Sequence, residues 1–195
     1  MAREVIVGLD VGNRSVKVIQ LAKQKNSYSL LNAAMGEFDH KADEKSRIAV
    51  IKKVIKQNRI KMKEVNISIE GPSVIIRNIE FPKMSRDELK RAIKFEAEKY
   101  IPYKVSEVVL DCEILKESEN NMTVLLAAAK KDFVYTKINF IRKAGLEPWI
   151  VDIGSFALIN AFNLNAPRKE KTIALINVGD RITNVNIVND GVLVF

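Results

Sequence analysis

Residues 7–21 read VGLDVGNRSVKVIQL, and much of that pattern returns near the other end of the chain as IALINVGDRITNVNIV at 173–188. Each copy runs from an apolar strand into Asp-Val-Gly or Asn-Val-Gly, then a polar residue and an arginine, then a second alternating strand. Asp10 falls on Asn177, Gly12 on Gly179, Asn13 on Asp180 and Arg14 on Arg181; Ser15 falls near Thr183, with one extra residue in the second copy. Glycine at such a tip removes the Cβ and lets backbone N–H groups approach a ligand closely. Consecutive N–H groups in a tight turn form an anion-binding concavity, to which Ser15 and Thr183 add hydroxyl donors. Asp10 has the chemistry to hold Mg²⁺ through water, since Mg²⁺ keeps much of its hydration shell in phosphate sites. One such hairpin is ordinary turn chemistry. Two, each heading a β-β unit with a helix-containing segment between them, read as a clasp that closes on a polyphosphate from both sides.

The rest of the chain bounds what such a clasp could serve. Its 195 residues fit one domain or two small ones, and 47% hydrophobic with 29% charged residues is ordinary globular composition. No apolar run approaches the roughly 20 residues that span a bilayer, and the first residues lack the apolar core of a signal peptide. A single cysteine, Cys112, excludes an internal disulfide framework and points to a reducing, cytosolic setting. A single histidine, His40, argues against a histidine-based metal site. The net charge of +8 is concentrated early: residues 1–64 hold 14 Lys or Arg against 7 Asp or Glu, mainly in KKVIKQNRIKMK at 52–63. No aromatic platform interleaves with these residues, so a solvated helix face is expected and nucleic acid is not.

Periodicity orders the elements. EVIVGLD (4–10), SVKVIQLA (15–22) and YSLLNAAM (28–35) read as strands, the helix at 43–57 carries an Ile48, Ile51, Val54, Ile55 stripe, and VNISIE (65–70) is a strand. Then SVIIRNIEFP (73–82) is a strand ended by Pro82, and Ser85 with Glu88 forms a capping box for a helix that stops near Tyr100. VVLDCEIL (108–115), a turn at 117–122, TVLLAAA (123–129) and a helix at 131–144 closed by Gly145 complete a β-α-β-β-α unit. A strand at 147–153, a short helix at 154–162, a polar link at 165–171 and strands at 172–178, 183–189 and 192–195 follow. The last strand reads as unfinished, so a truncated second domain is expected.

These residues resemble the actin, Hsp70 and sugar-kinase superfamily, LDVGNRSVK matching its first phosphate motif and INVGDRITN its second. EAEKYIPYKVSEVVLD (96–111), VLLAAAKKDFV (124–134) and AGLEPWIVDIGSFALINAF (144–162) are similar to the PilM family of type IV pilus assembly proteins, relatives of the division protein FtsA. The resemblance implies an α/β actin-like (ribonuclease H-like) fold. Subdomain 1A would take 1–71 and 147–164, an inserted subdomain 1C 72–146, and an incomplete second domain 165–195. It implies ATP and Mg²⁺ as ligands of the full-length protein, with Asp10, Gly12, Asn13, Arg14, Ser15 and Lys17 in the first phosphate motif, Asn177, Gly179, Asp180 and Thr183 in the second, and Asp10 toward the metal. This chain stops before the superfamily's adenosine-binding motif, so weak or no nucleotide binding and at most weak ATPase activity are expected of it. Two positions depart from the family: Asn177 stands where Asp is usual, and Asn184 where a second Thr is usual. Asn177 brings no negative charge for Mg²⁺, which bears on hydrolysis more than on binding. The implied role is a cytoplasmic scaffold peripheral to the inner membrane. It would hold the short N-terminal tail of a PilN-like membrane protein at a groove of 1A and 1C and meet other pilus assembly proteins, with homo-oligomers open. Alternatives are an ATPase or small-molecule kinase of the same fold, or an FtsA-like filament.

Other candidates have plainer readings. Tyr100, Ile101, Pro102 and Tyr103 form an apolar cluster after a helix, read equally as core or as partner surface, with Pro102 and Tyr103 placed at the partner groove. Asp152 reads as a helix N-cap or as a hinge or nucleotide residue. Cys112 and Trp149 are expected in the core, His40 in a loop, and Glu70 and Asp111 as exposed strand residues rather than an acid–base pair.

Overall fold

The computed structural model describes residues 4–25, 27–166 and 171–195. In chain order these form β1 (Glu4–Val11), β2 (Ser15–Lys23), β3 (Tyr28–Glu37), α1 (Glu44–Gln57), β4 (Glu64–Ile69), β5 (Val74–Pro82), α2 (Arg86–Glu96), β6 (Val108–Glu117), β7 (Asn121–Lys130), α3 (Lys131–Lys143), β8 (Glu147–Ile153), α4 (Gly154–Asn165), β9 (Thr172–Val178), β10 (Thr183–Asn189) and β11 (Val192–Leu193). The polar link expected at 165–171 lies mostly outside the described residues. No helix among the described residues is long and apolar enough to cross a membrane.

Three sheets result. The first has the order β3-β2-β1-β4-β8, antiparallel across β3, β2 and β1 and parallel from β1 through β4 to β8. The second is antiparallel, ordered β5-β7-β6, and the third is ordered β11-β10-β9. Described residues within 1–69, 136–166 and 176–185 make one compact unit, and those within 70–135, 167–175 and 186–195 a second.

In the first unit, Val7, Leu9 and Val11 of β1, Val16 and Val18 of β2, and Val65 and Ile67 of β4 alternate onto one face of the sheet. Ile51 and Val54 of α1 and Ile141 of α3 bury that face, each such fully buried aliphatic side chain contributing about 1.5–3 kcal/mol of transfer free energy. Helix α1 lies so close to β3 that a Cβ on Gly36 would stand 2.5 Å from Val54 Cγ2 and 2.9 Å from Val50 Cγ1. Asp43 caps α1 by accepting from the Ser46 N–H at 2.8 Å. The lysines of the basic stretch, Lys52, Lys53, Lys56, Lys61 and Lys63, stand exposed on and after this helix, while Ile51, Val54 and Ile60 face inward.

The second unit has its own core. Ile79, Phe81, Val108, Met122, Val124, Leu126 and Ala128 of the antiparallel sheet pack against Leu89, Ile93 and Ala97. The capping box forms as expected: Ser85 Oγ accepts from the Glu88 N–H, and Glu88 Oε2 accepts from the Ser85 N–H at 2.8 Å. A 3-10 turn at Ala97–Lys99 carries the helix to Tyr100. Ile101 is buried, Tyr103 is half-buried under Lys130, whose Nζ lies 4.5 Å from the ring centroid, and Pro102 is exposed.

Several expectations are corrected. Trp149 is 70% exposed rather than core. Val65 pairs with Pro148 and Asn66 with Ile150, so Trp149 is the extra residue of a β-bulge and leaves the alternation. Cys112 is half-buried on the core face of β6, and burial pushes its thiol pKa up. The turn expected at 117–122 is shorter, because β7 already begins at Asn121. The final strand is limited to Val192–Leu193.

Candidate functional site

The first hairpin turns between β1 and β2. Asp10 stands opposite Lys17 and Val11 opposite Val16, and the Gly12 N–H donates to Ser15 O at 3.0 Å to close the tip. Asn13 and Arg14 are exposed at the tip. Arg14 donates to His40 Nδ1 at 2.7 Å, and the Phe38 N–H donates to Arg14 O at 2.8 Å, which ties the tip to the loop after β3. Lys17 Nζ reaches Asp10 Oδ2 at 3.2 Å, with both side chains more than half exposed.

Two cations that sequence reasoning missed hold this tip from beneath. Arg47, in the first turns of α1, donates from an Nη to Gly12 O at 2.6 Å. Its guanidinium lies 4.6 Å from the Phe38 ring centroid and 5.6 Å from that of Phe140, a sandwich of the kind that stabilises a partly desolvated cation. Lys137 of α3 donates from Nζ to Val11 O at 2.6 Å. The signal for both was present but unread: Arg47 stands four residues before Ile51 and Lys137 four before Ile141, so each puts a charge on the core-facing stripe of its helix. Arg47 Nε is buried without a hydrogen-bond partner, and burial first, then the charge of Arg181, pushes the guanidinium pKa down.

The second hairpin, between β9 and β10, closes with the same bond, Gly179 N–H to Ile182 O at 3.0 Å. A Cβ on Gly179 would lie 2.7 Å from Ile182 O, so the closure requires glycine there. The closing bond equates Ile182 with Ser15 and leaves Thr183 one residue further on, where the first hairpin has Val16. Asn177, Asp180, Arg181 and Thr183 are exposed.

A cleft of about 640 Å³ opens on the sheet face away from α1, lined by Asp10 and Lys17, by Asn66 and Ser68 of β4, by Asp152 of β8 and by Ala157 of α4. Asp152 is not the N-cap of α4; Ile153 takes that position without a side-chain bond, and Asp152 Oδ1 instead accepts from the Ile153 N–H at 2.7 Å. Glu70 lies just past β4, and Asp111 Oδ1 accepts from the Cys112 N–H at 2.8 Å. Pro102 and Tyr103 belong to the second unit.

Asp10 and Asp152 line this one cleft and are the carboxylates that would hold a Mg²⁺ together with phosphate oxygens and water. Asp10 is paired with Lys17 across the exposed surface, its counterpart Asn177 is neutral, and no group of three His, Cys, Asp or Glu side chains converges among the described residues. Gly12 O is held toward Arg47, and in a trans peptide that turns the Asn13 N–H the opposite way, off the core side of the tip.

Residues 8–195 match the family model described as type IV pilus assembly protein PilM. A chain of a PilM–PilN type IV pilus biogenesis complex superposes with a TM-score of 0.85 at 24% identity, covering 100% of this chain and 61% of that one. The cytoplasmic domain of EpsL, an inner membrane component of the type II secretion system of Vibrio cholerae, matches with a TM-score of 0.59 at 11% identity, over 98% of this chain and 71% of that one. A Bacteroides thetaiotaomicron protein with an actin-like ATPase fold matches with a TM-score of 0.50 at 13% identity, over 99% and 68%. This chain therefore has the α/β architecture of the actin-like fold and spans less than two thirds of the chain from the PilM–PilN complex. With the family match running through both hairpins, the chain belongs to the PilM family of type IV pilus assembly proteins.

Proposed function

We propose that the chain is part of a cytoplasmic pilus-assembly scaffold that grips the phosphates of a nucleotide, ATP in the first instance, between its two hairpins. It also holds the N-terminal tail of a PilN-like inner-membrane protein. The observation that carries the nucleotide reading is the repeated closure, Gly12 to Ser15 and Gly179 to Ile182, in two hairpins of the same sequence pattern. The partner reading draws on the likeness to a chain solved with PilN, with Pro102 and Tyr103 proposed for the groove. In the same reading 1–71 and 147–164 form subdomain 1A, 72–146 the inserted 1C, and 165–195 the start of a second actin-like domain. Calorimetric titration of the chain with a PilN tail peptide tests the partner arm. Binding that Tyr103→Ala weakens roughly tenfold supports the groove; a folded chain that ignores the peptide refutes it. Rapid phosphate release from ATP without any partner would overturn the scaffold in favour of an enzyme.

A further inference from the structure

We propose that the basic face formed by the C-terminal half of α1 and the loop after it docks on the anionic headgroups of a lipid bilayer, through Lys52, Lys53, Lys56, Arg59, Lys61 and Lys63. This goes beyond the holding of a PilN-like tail. It rests on the reading that brings the chain to an inner membrane, and adds a direct lipid contact to it.

The stretch 52–63 carries these six cations and no carboxylate. Ile51, Val54 and Ile60 are buried and Ile55 and Met62 half-buried, so helical periodicity and then alternation leave all six cations exposed. Elsewhere the surface neutralises itself: Lys23 pairs with Glu4, Arg86 with Glu113, Arg142 with Glu147 and Lys143 with Glu44. Among the described residues no ion pair reaches any of the six. Glu64 follows Lys63, and its register partner Glu147 is already held by Arg142. The loop is also fixed at both ends, since Asn32 Nδ2 donates to Asn58 O and the Glu147 N–H to Lys63 O, each at 2.8 Å.

The end of the helix adds an independent observation. The Arg59 N–H donates to Lys56 O and the Ile60 N–H to Ile55 O, a double closure whose turning residue sits in the left-handed region, and Arg59 there has φ 54°. Glycine takes that conformation without strain. An arginine keeps a charge in the patch against the backbone's preference, which points to use of the charge. A cation such as Lys56 is favoured at any helix C-terminus, but Lys61 and Lys63 lie beyond it. No large apolar side chain is exposed between 52 and 63. The face therefore lacks the apolar anchor of a protein interface and the rings on which single-stranded bases stack. Charge without a pocket suits a fluid layer whose anionic headgroups gather opposite it, each Lys or Arg strengthening attachment about fivefold.

The test is sedimentation of the 195-residue chain with vesicles of phosphatidylcholine alone and of phosphatidylcholine with about one-third phosphatidylglycerol. The chain should sediment with the anionic vesicles only, and be released as salt rises from about 0.05 to about 0.5 M. Equal binding to both vesicles, or binding to neither, overturns the proposal. Lys52→Gln with Lys56→Gln should weaken attachment roughly tenfold or more. Arg59→Gly should weaken it about fivefold yet melt no lower than the parent, since glycine accepts the left-handed turn. Undiminished binding by both variants sinks the idea. Lys90→Gln with Lys94→Gln, exposed on α2, should change binding less than about twofold. A matching loss there would mean diffuse attraction to a basic chain and would overturn the docking face. Capture of polyglutamate or duplex DNA, with anionic vesicles ignored, would hand the face to an acidic protein or to nucleic acid. Tail-peptide binding without vesicle binding fells this inference and leaves the proposed function; vesicle binding without peptide binding does the reverse.

Discussion

Beneath the first hairpin, Val11 and Val16 are 7% and 0% exposed, and helix cations hold the carbonyls of Val11 and Gly12. Around the second, Val178 and Ile182 are 76% and 43% exposed, although the tip closes with the same glycine-to-carbonyl bond. A repeated motif therefore specifies the local turn, while the rigidity of that turn comes from what is packed under it. The first jaw is preorganised by a buried sheet and two helices; the second depends on its own backbone and on glycine.

The largest test of that contrast removes packing. Ile51→Ala, in the core beneath the first hairpin, should cost about 2–5 kcal/mol in chemical denaturation, while Val178→Ala should stay within about 0.5 kcal/mol. Comparable losses would mean that the second hairpin is supported as well as the first. The glycines should invert the order. Gly179→Ala drives a Cβ to 2.7 Å from Ile182 O, whereas on Gly12 the Cβ would meet Ser15 O at an ordinary 3.6 Å. Gly179→Ala should therefore destabilise by roughly 1–3 kcal/mol, seen as faster amide exchange in β9 and β10, and Gly12→Ala by less than about 1 kcal/mol.

Acid should act on the helix start under the first hairpin. The Ser46 hydroxyl and then its backbone N–H hold the Asp43 carboxyl below the usual carboxylate range. The folded pKa is depressed, so this stabilisation is present above the unfolded value and is lost as pH falls through the folded one. Urea midpoints should thus drop as the pH falls below about 4 and through the lower folded value, and Asp43→Ala should remove part of the drop. An unchanged pH profile in that variant would show that the cap contributes nothing there. Lys17→Met, which breaks an exposed ion pair, should also leave stability within about 1 kcal/mol.

How much of this could be read from residues alone follows from which rules act locally. Alternation marked SVKVIQLA as a strand, whose Val16 and Val18 are buried, and the Ser85–Glu88 spacing marked the start of α2, because strand periodicity and capping are settled within a few residues. The two hairpins were legible because they repeat. Arg47 and Lys137 were not, since a charge on an apolar stripe announces a buried polar contact without naming its partner, and the carbonyls they hold lie 35 and 126 residues away in the chain. Trp149 was misplaced because a bulge is set by the neighbouring strand, and of the two readings of Asp152 the N-cap fails because the helix begins one residue later.

The aromatic sandwich around Arg47 also bears on ionic strength. Dissolved salt screens exposed charges over roughly 10 Å at 0.1 M but penetrates poorly between packed rings. The hold of Arg47 on Gly12 O should therefore persist in concentrated salt, while the exposed Lys17–Asp10 pair fades. The hairpin that keeps its shape there would be the one whose cation lies against packed rings rather than in open solvent.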